Sequence, residues 1–137
     1  MPTVTRWFIK SGMLCLLAGL LGLTLVAARP VLGGPPWLGV LWPTLLHLLV
    51  VGWITQLIFG VAHWMFPRHT AAAPRGSERL MWLAWGCLNA GLLLRVIGEP
   101  RAILGHDAGL LLLASAVLPL LAAVAFVANI WPRVKAR

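Results

Sequence analysis

Four long apolar runs, residues 13–28, 37–66, 80–97 and 109–131, decide the solvent in which this chain can fold. A bilayer accepts a helix of roughly 20 mostly apolar residues, whereas a soluble domain of 137 residues has too little interior to hide four of them. With 61% hydrophobic residues, 10% charged residues and a mean hydropathy of +0.92, much of the surface itself must be apolar. The sequence therefore predicts an all-α, integral membrane four-helix bundle. It reads as one transmembrane domain, residues 1–137, with helices at approximately 12–28, 40–66, 79–98 and 109–131.

The connectors carry the punctuation such helices need. Arg29-Pro30 follows the first run, Gly33-Gly34-Pro35-Pro36 breaks the chain before the second, and Pro67 ends the second. Residues 68–79 are a polar, small-residue loop in which Ser77 is a candidate N-cap. Pro43 falls in an early turn of the second helix, with Trp37 and Trp42 at headgroup level, and Pro119 predicts a kink in the fourth. Ala18 and Gly22 have the spacing of a small-residue face that lets another helix approach. Val26-x-Ala28 also permits the first run to be read as a cleaved leader.

The net charge of +8 is distributed as a topology signal. Arg6, Lys10, Arg68, Arg75, Arg79, Arg133, Lys135 and Arg137 fall on one side of the predicted bundle, against Arg29, Arg95 and Arg101 on the other. That asymmetry places both the amino and the carboxyl terminus in the cytoplasm, for which a bacterial inner membrane is the expected setting. Basic residues at helix ends suit anionic lipid headgroups rather than nucleic acid. Cys15 and Cys87 lie inside apolar runs with no metal-ligand spacing and read as small hydrophobes.

Polar side chains at membrane depth are the informative ones, because an unpartnered imidazole or amide in hydrocarbon is costly. His47, Gln56 and His63 are in the second helix, Asn89 and Arg95 in the third, Asn129 in the fourth. His47 is expected roughly 10–15 Å below the outer interface. There it can hydrogen-bond a neighbouring helix or ligate a metal or heme through one ring nitrogen. His63 lies sixteen residues on, nearly on the opposite face and about 24 Å deeper, so the two cannot share a metal. Gln56 and His63, seven apart, share a face and read as polar links between helices. Arg95 can snorkel, pair with Glu99, or clamp a carboxylate, with Arg101 as a second clamp. All three acids, Glu78, Glu99 and Asp107, are expected in loops or at helix ends, and no hydrolase or nucleotide-binding motif is present.

The segments 46–53 (LHLLVVGW) and 58–68 (IFGVAHWMFPR) resemble the second helix of heme-copper oxidase subunit I, particularly of the C-type oxidases, and of small subunit-I-like membrane proteins. Residues 88–100 (LNAGLLLRVIGEP) resemble, less specifically, the helix that follows. The resemblance implies that His47 is an axial ligand of a b-type heme, with Arg95 and Arg101 as candidates for its propionates. It also implies a role in electron transfer or gas sensing in the respiratory chain. A complete subunit I has many more helices and further histidine ligands, so this chain is not expected to be an oxygen reductase alone. Other membrane subunits or a second copy of the chain are the implied partners. The alternative is a membrane scaffold or accessory subunit without cofactor, in which the same side chains only link helices.

Overall fold

A computed structural model of the chain describes residues 1–66 and 75–134, and among these it is all-helical. Four helices are long and apolar enough to cross a membrane. Helix α1 spans Thr3–Leu32, α2 spans Trp37–Met65, α3 spans Glu78–Ile103, and α4 spans Gly109–Ile130 followed by a tight 3₁₀ turn, Trp131–Arg133. Arg68, Lys135, Arg137 and most of the polar loop lie outside the described residues.

Close approaches between side chains fix the topology. Going along α1, Phe8 meets Gly60, Gly12 meets Trp53, and Gly19 meets Leu49, so α1 and α2 are antiparallel. On the other side Gly91 meets Pro119, and Gly98 meets Leu111 and Leu112, so α3 and α4 are antiparallel too. Thr44 bonds Glu99 and Gln56 bonds Asn89, which makes α2 and α3 antiparallel. The result is an up-down-up-down bundle with both termini at the same end.

Several features differ from the sequence expectation: α1 runs through Pro30 to Leu32, where Gly33 at φ 66° closes it, and three further differences follow. Helix α1 begins at Thr3 rather than near residue 12. Thirty residues make a rod of about 45 Å, longer than the roughly 30 Å hydrocarbon core, so Arg6 and Lys10 ride on its end beyond the oily stretch. Helix α3 continues past Gly98 and Pro100 to Ile103. Gly98 is buried against α4, and the turn is closed instead by Gly105, whose φ of 82° lies in the left-handed region. Helix α2 is composite: a 3₁₀ entry, Pro36–Leu41, then α-helix Trp42–His47, π-helix Leu48–Thr55 and α-helix Gln56–Met65. Within the π stretch the Thr55 hydroxyl donates to the Val50 carbonyl at 3.0 Å.

The small-residue face of α1 is half as expected: Gly22 closely approaches Leu45 of α2, but Ala18 is exposed, and Gly12 and Gly19 complete the contact with α2 instead. Gly52 returns the approach from α2: a Cβ there would stand 2.8 Å from the Cys15 Cβ. Ser77 caps α3, its hydroxyl accepting the Leu80 N–H at 3.3 Å. Pro119 is accommodated inside α4 because Gly91 leaves room for its ring.

The main buried apolar cluster lies toward the end that carries the termini. Val4, Phe8, Phe59, Met81, Ala84, Leu88, Ala122 and Ala125 are buried together there. Phe59 and Phe126 stack at 4.0 Å, and Trp7, Trp82 and Trp85 form an edge-to-face cluster between α1 and α3. Outward, leucines such as Leu17, Leu21, Leu110 and Leu120 are exposed, as lipid-facing positions require.

Candidate functional site

The polar side chains form three groups along the bundle. At the terminal end, His63 is 1% exposed, and its ring lies 3.4 Å from the Asn129 amide. The Asn129 carbonyl oxygen accepts the Ser77 N–H at 2.6 Å. Arg133, fully buried, donates to the carbonyls of Phe66 at 2.7 Å, His63 at 3.0 Å and Arg75 at 3.3 Å. Helix α2 ends here, and its last carbonyls have no intrahelical partner. The guanidinium supplies one.

In the middle of the bundle Gln56, fully buried, joins α1 to α3. The Ser11 hydroxyl donates to its carbonyl oxygen, and its amide donates to the Asn89 carbonyl oxygen at 3.2 Å. Trp85 Nε1–H donates to the Ser11 hydroxyl at 3.1 Å, and the Asn89 amide donates to the Trp85 carbonyl at 2.8 Å. This neutral network has the partners that polar groups in hydrocarbon require. Gln56 and His63 both link helices, though to different neighbours.

The third group, at the opposite end, is charged. Glu99 projects from α3 into the bundle with a relative exposure of 9%. The expectation that every acid would sit in a loop or at a helix end is corrected at this residue. The extra length of α3 places Glu99 a turn inside the helix, facing α2. Thr44 donates its hydroxyl proton to Oε2 at 2.9 Å. The His47 Nδ1 stands 3.1 Å from Oε1, and the Arg95 Nη1 is 3.6 Å from the same oxygen. His47 Nδ1 is also 2.9 Å from the Pro43 carbonyl one turn back.

Beside this group lies a cavity of about 260 Å³, lined by His47, Val51, Leu92, Arg95, Ser115 and Pro119 among others. Its walls are mainly apolar, with imidazole, guanidinium and hydroxyl as the polar groups. His47 and Arg95 both line the cavity. Arg101 does not join them: it is exposed in the last turn of α3, and His106 is exposed in the loop beyond. Arg95 is moreover paired with Glu99, so its charge is already balanced.

The donor chemistry suits one axial position of a heme. Nδ1 is held by a carbonyl and a carboxylate, the usual orienting partners of a ligating histidine, and Nε2 has no hydrogen bond to any described residue. The space does not suit a macrocycle enclosed by one chain. About 260 Å³ falls below the roughly 300 Å³ at which ordinary small-molecule pockets begin. The His47 side chain is 37% exposed, so another surface can complete the site. Among the described residues no group of three or more His, Cys, Asp or Glu side chains could hold a metal ion by itself.

Comparison of the chain with known protein families, with curated proteins and with solved structures finds no match.

Proposed function

We propose that the chain is a small integral membrane subunit, similar to heme-copper oxidase subunit I, that offers His47 as one axial ligand to a b-type heme at a face shared with another chain. The partner is a further membrane subunit or a second copy of this one. The observation that carries this reading is the imidazole of His47, with Nδ1 held by Pro43 and Glu99 and Nε2 unengaged at the edge of a largely apolar cavity. When bound, a heme supplies one-electron transfer or binding of a small gas. The chain supplies the ligand, its orientation and a dry wall. Arg95, at the cavity edge, is the nearer candidate for a propionate, and Arg101 needs a partner-induced rearrangement to reach one.

In this reading the basic residues of the terminal end face the cytoplasm and anionic lipid, and the His47 end faces outward across a bacterial inner membrane. In this reading the chain is not expected to be catalytic alone. Pyridine-hemochrome assay of protein purified from heme-replete cells is expected to give b-type heme that disappears in His47→Ala and persists in His63→Ala. Heme-free protein with an unchanged oligomeric state would favour the second reading, an accessory subunit without cofactor. That reading is supported by the small cavity and by the pairing of His47 and Arg95 with Glu99.

A further inference from the structure

We propose that the crevice between α1 and α3 at the terminal end is a specific site for one anionic phospholipid, with Arg6, Lys10 and Arg79 around its phosphodiester and an acyl chain in the dip at Gly86. This deepens the anionic-lipid part of the reading above and is independent of its heme part.

The two helices meet here through indole rings. Trp7 lies 6.5 Å from Trp82 and 5.6 Å from Trp85, centroid to centroid, yet remains 48% exposed. Arg6 precedes Trp7 on α1, Lys10 follows it by one turn, and Arg79 is one turn before Trp82 on α3. Contact between the rings therefore gathers three cations around one crevice. All three are exposed, and none forms an ion pair among the described residues. Arg6 donates to the Met1 carbonyl at 3.3 Å, which engages one of its N–H groups and leaves its charge unbalanced. Among the described residues Glu78 is the one acid at this end, exposed beside Arg79; Glu99 and Asp107 belong to the opposite end. The crevice is thus net positive.

Cations alone would suit any anion, dissolved or membrane-bound. What lies deeper selects a lipid. Continuing from Trp7 and Lys10 at helical spacing, Leu14 and Leu17 are exposed along the same ridge of α1. On α3 the corresponding ridge runs from Arg79 through exposed Leu83 to Gly86, about 10 Å further along the axis. A Cβ added at Gly86 would meet nothing within 4 Å, so the surface dips there beside leucines. A positive rim, an indole at the boundary and an apolar groove beneath match, in order, the phosphate, interfacial region and acyl chain of an acidic phospholipid.

The test titrates the full-length protein in neutral detergent micelles with phosphatidylglycerol or phosphatidylcholine and counts bound lipid by native mass spectrometry. The wild-type chain is expected to bind one phosphatidylglycerol about tenfold more tightly than phosphatidylcholine, and Lys10→Gln with Arg79→Gln to lose about that factor. Arg29→Gln with Arg101→Gln removes the same charge from the opposite end and should leave the binding unchanged. Gly86→Leu keeps every charge but fills the dip, and should also weaken it. Glycerol phosphate, an anion without acyl chains, should not displace the lipid. Equal losses in the two charge-pair variants would mean diffuse attraction; they overturn the site and leave the preference for anionic lipid standing. No preference for phosphatidylglycerol in the wild type overturns both. Displacement by glycerol phosphate, or unchanged binding in Gly86→Leu, overturns the acyl-chain seat and with it the assignment to a lipid.

Discussion

The two histidines of α2 sit at opposite ends of one helix and differ in what surrounds them. His63 is part of the wall, 1% exposed, with Asn129 against its ring and Arg133 on its carbonyl. His47 is more than a third exposed, held through one ring nitrogen and bordered by a cavity. The neighbourhood of His63 is closed by the Asn129 amide and the buried Arg133 side chain. That of His47 contains an ion pair and open space. A histidine at membrane depth is thus a structural link where its ring is enclosed by packing, and a candidate ligand where only its orienting nitrogen is engaged.

Mutations that separate the two ends should show this division. Arg133→Ala is expected to have the largest effect on stability, about 3 kcal/mol or more, because it leaves buried carbonyls at the end of α2 without their charged donor. Unfolding in mixed micelles followed by circular dichroism would measure it, and a loss below about 1 kcal/mol would mean that the clamp is dispensable. His63→Ala should cost about 2 kcal/mol through the void and the lost Asn129 contact, with no change at the opposite end. Gln56→Leu, in the neutral network between them, is expected to cost about 1 kcal/mol, since hydrogen bonds between helices in membranes are individually modest. Thr44→Val should cost a little under 1 kcal/mol, and its clearest effect should be on the carboxylate stretch of Glu99 in the infrared spectrum. Equal costs for His63→Ala and His47→Ala would erase the distinction between the two ends.

The helices were legible because lipid imposes a simple rule: apolar runs of sufficient length separated by breakers and basic residues. That His47 and His63 lie at opposite ends of one helix could also be read from their spacing. Glu99 was not visible as a buried group. The string Gly98-Glu99-Pro100 carries the composition of a helix stop, and only the packing of Gly98 against Leu111 and Leu112 shows why the helix runs on. The π-helical stretch Leu48–Thr55 was hidden for a related reason. Apart from Thr55 at its end, its residues carry no polar side chain and preserve no phase from which a wider turn could be read. Arg133 looked like one more positive-inside charge, yet its side chain turns back to cap α2, a contact set by the fold rather than by local sequence. Trp37 and Trp42, expected at headgroup level, are both exposed, whereas Trp7 packs against Trp82 and Trp85.

Axial ligation by His47 can be tested most directly by removing the ring and returning it in solution. His47→Gly protein, purified from heme-replete cells, should lack the Soret band of wild type and regain it when imidazole is added. A full Soret band in His47→Gly before imidazole is added would contradict the assignment.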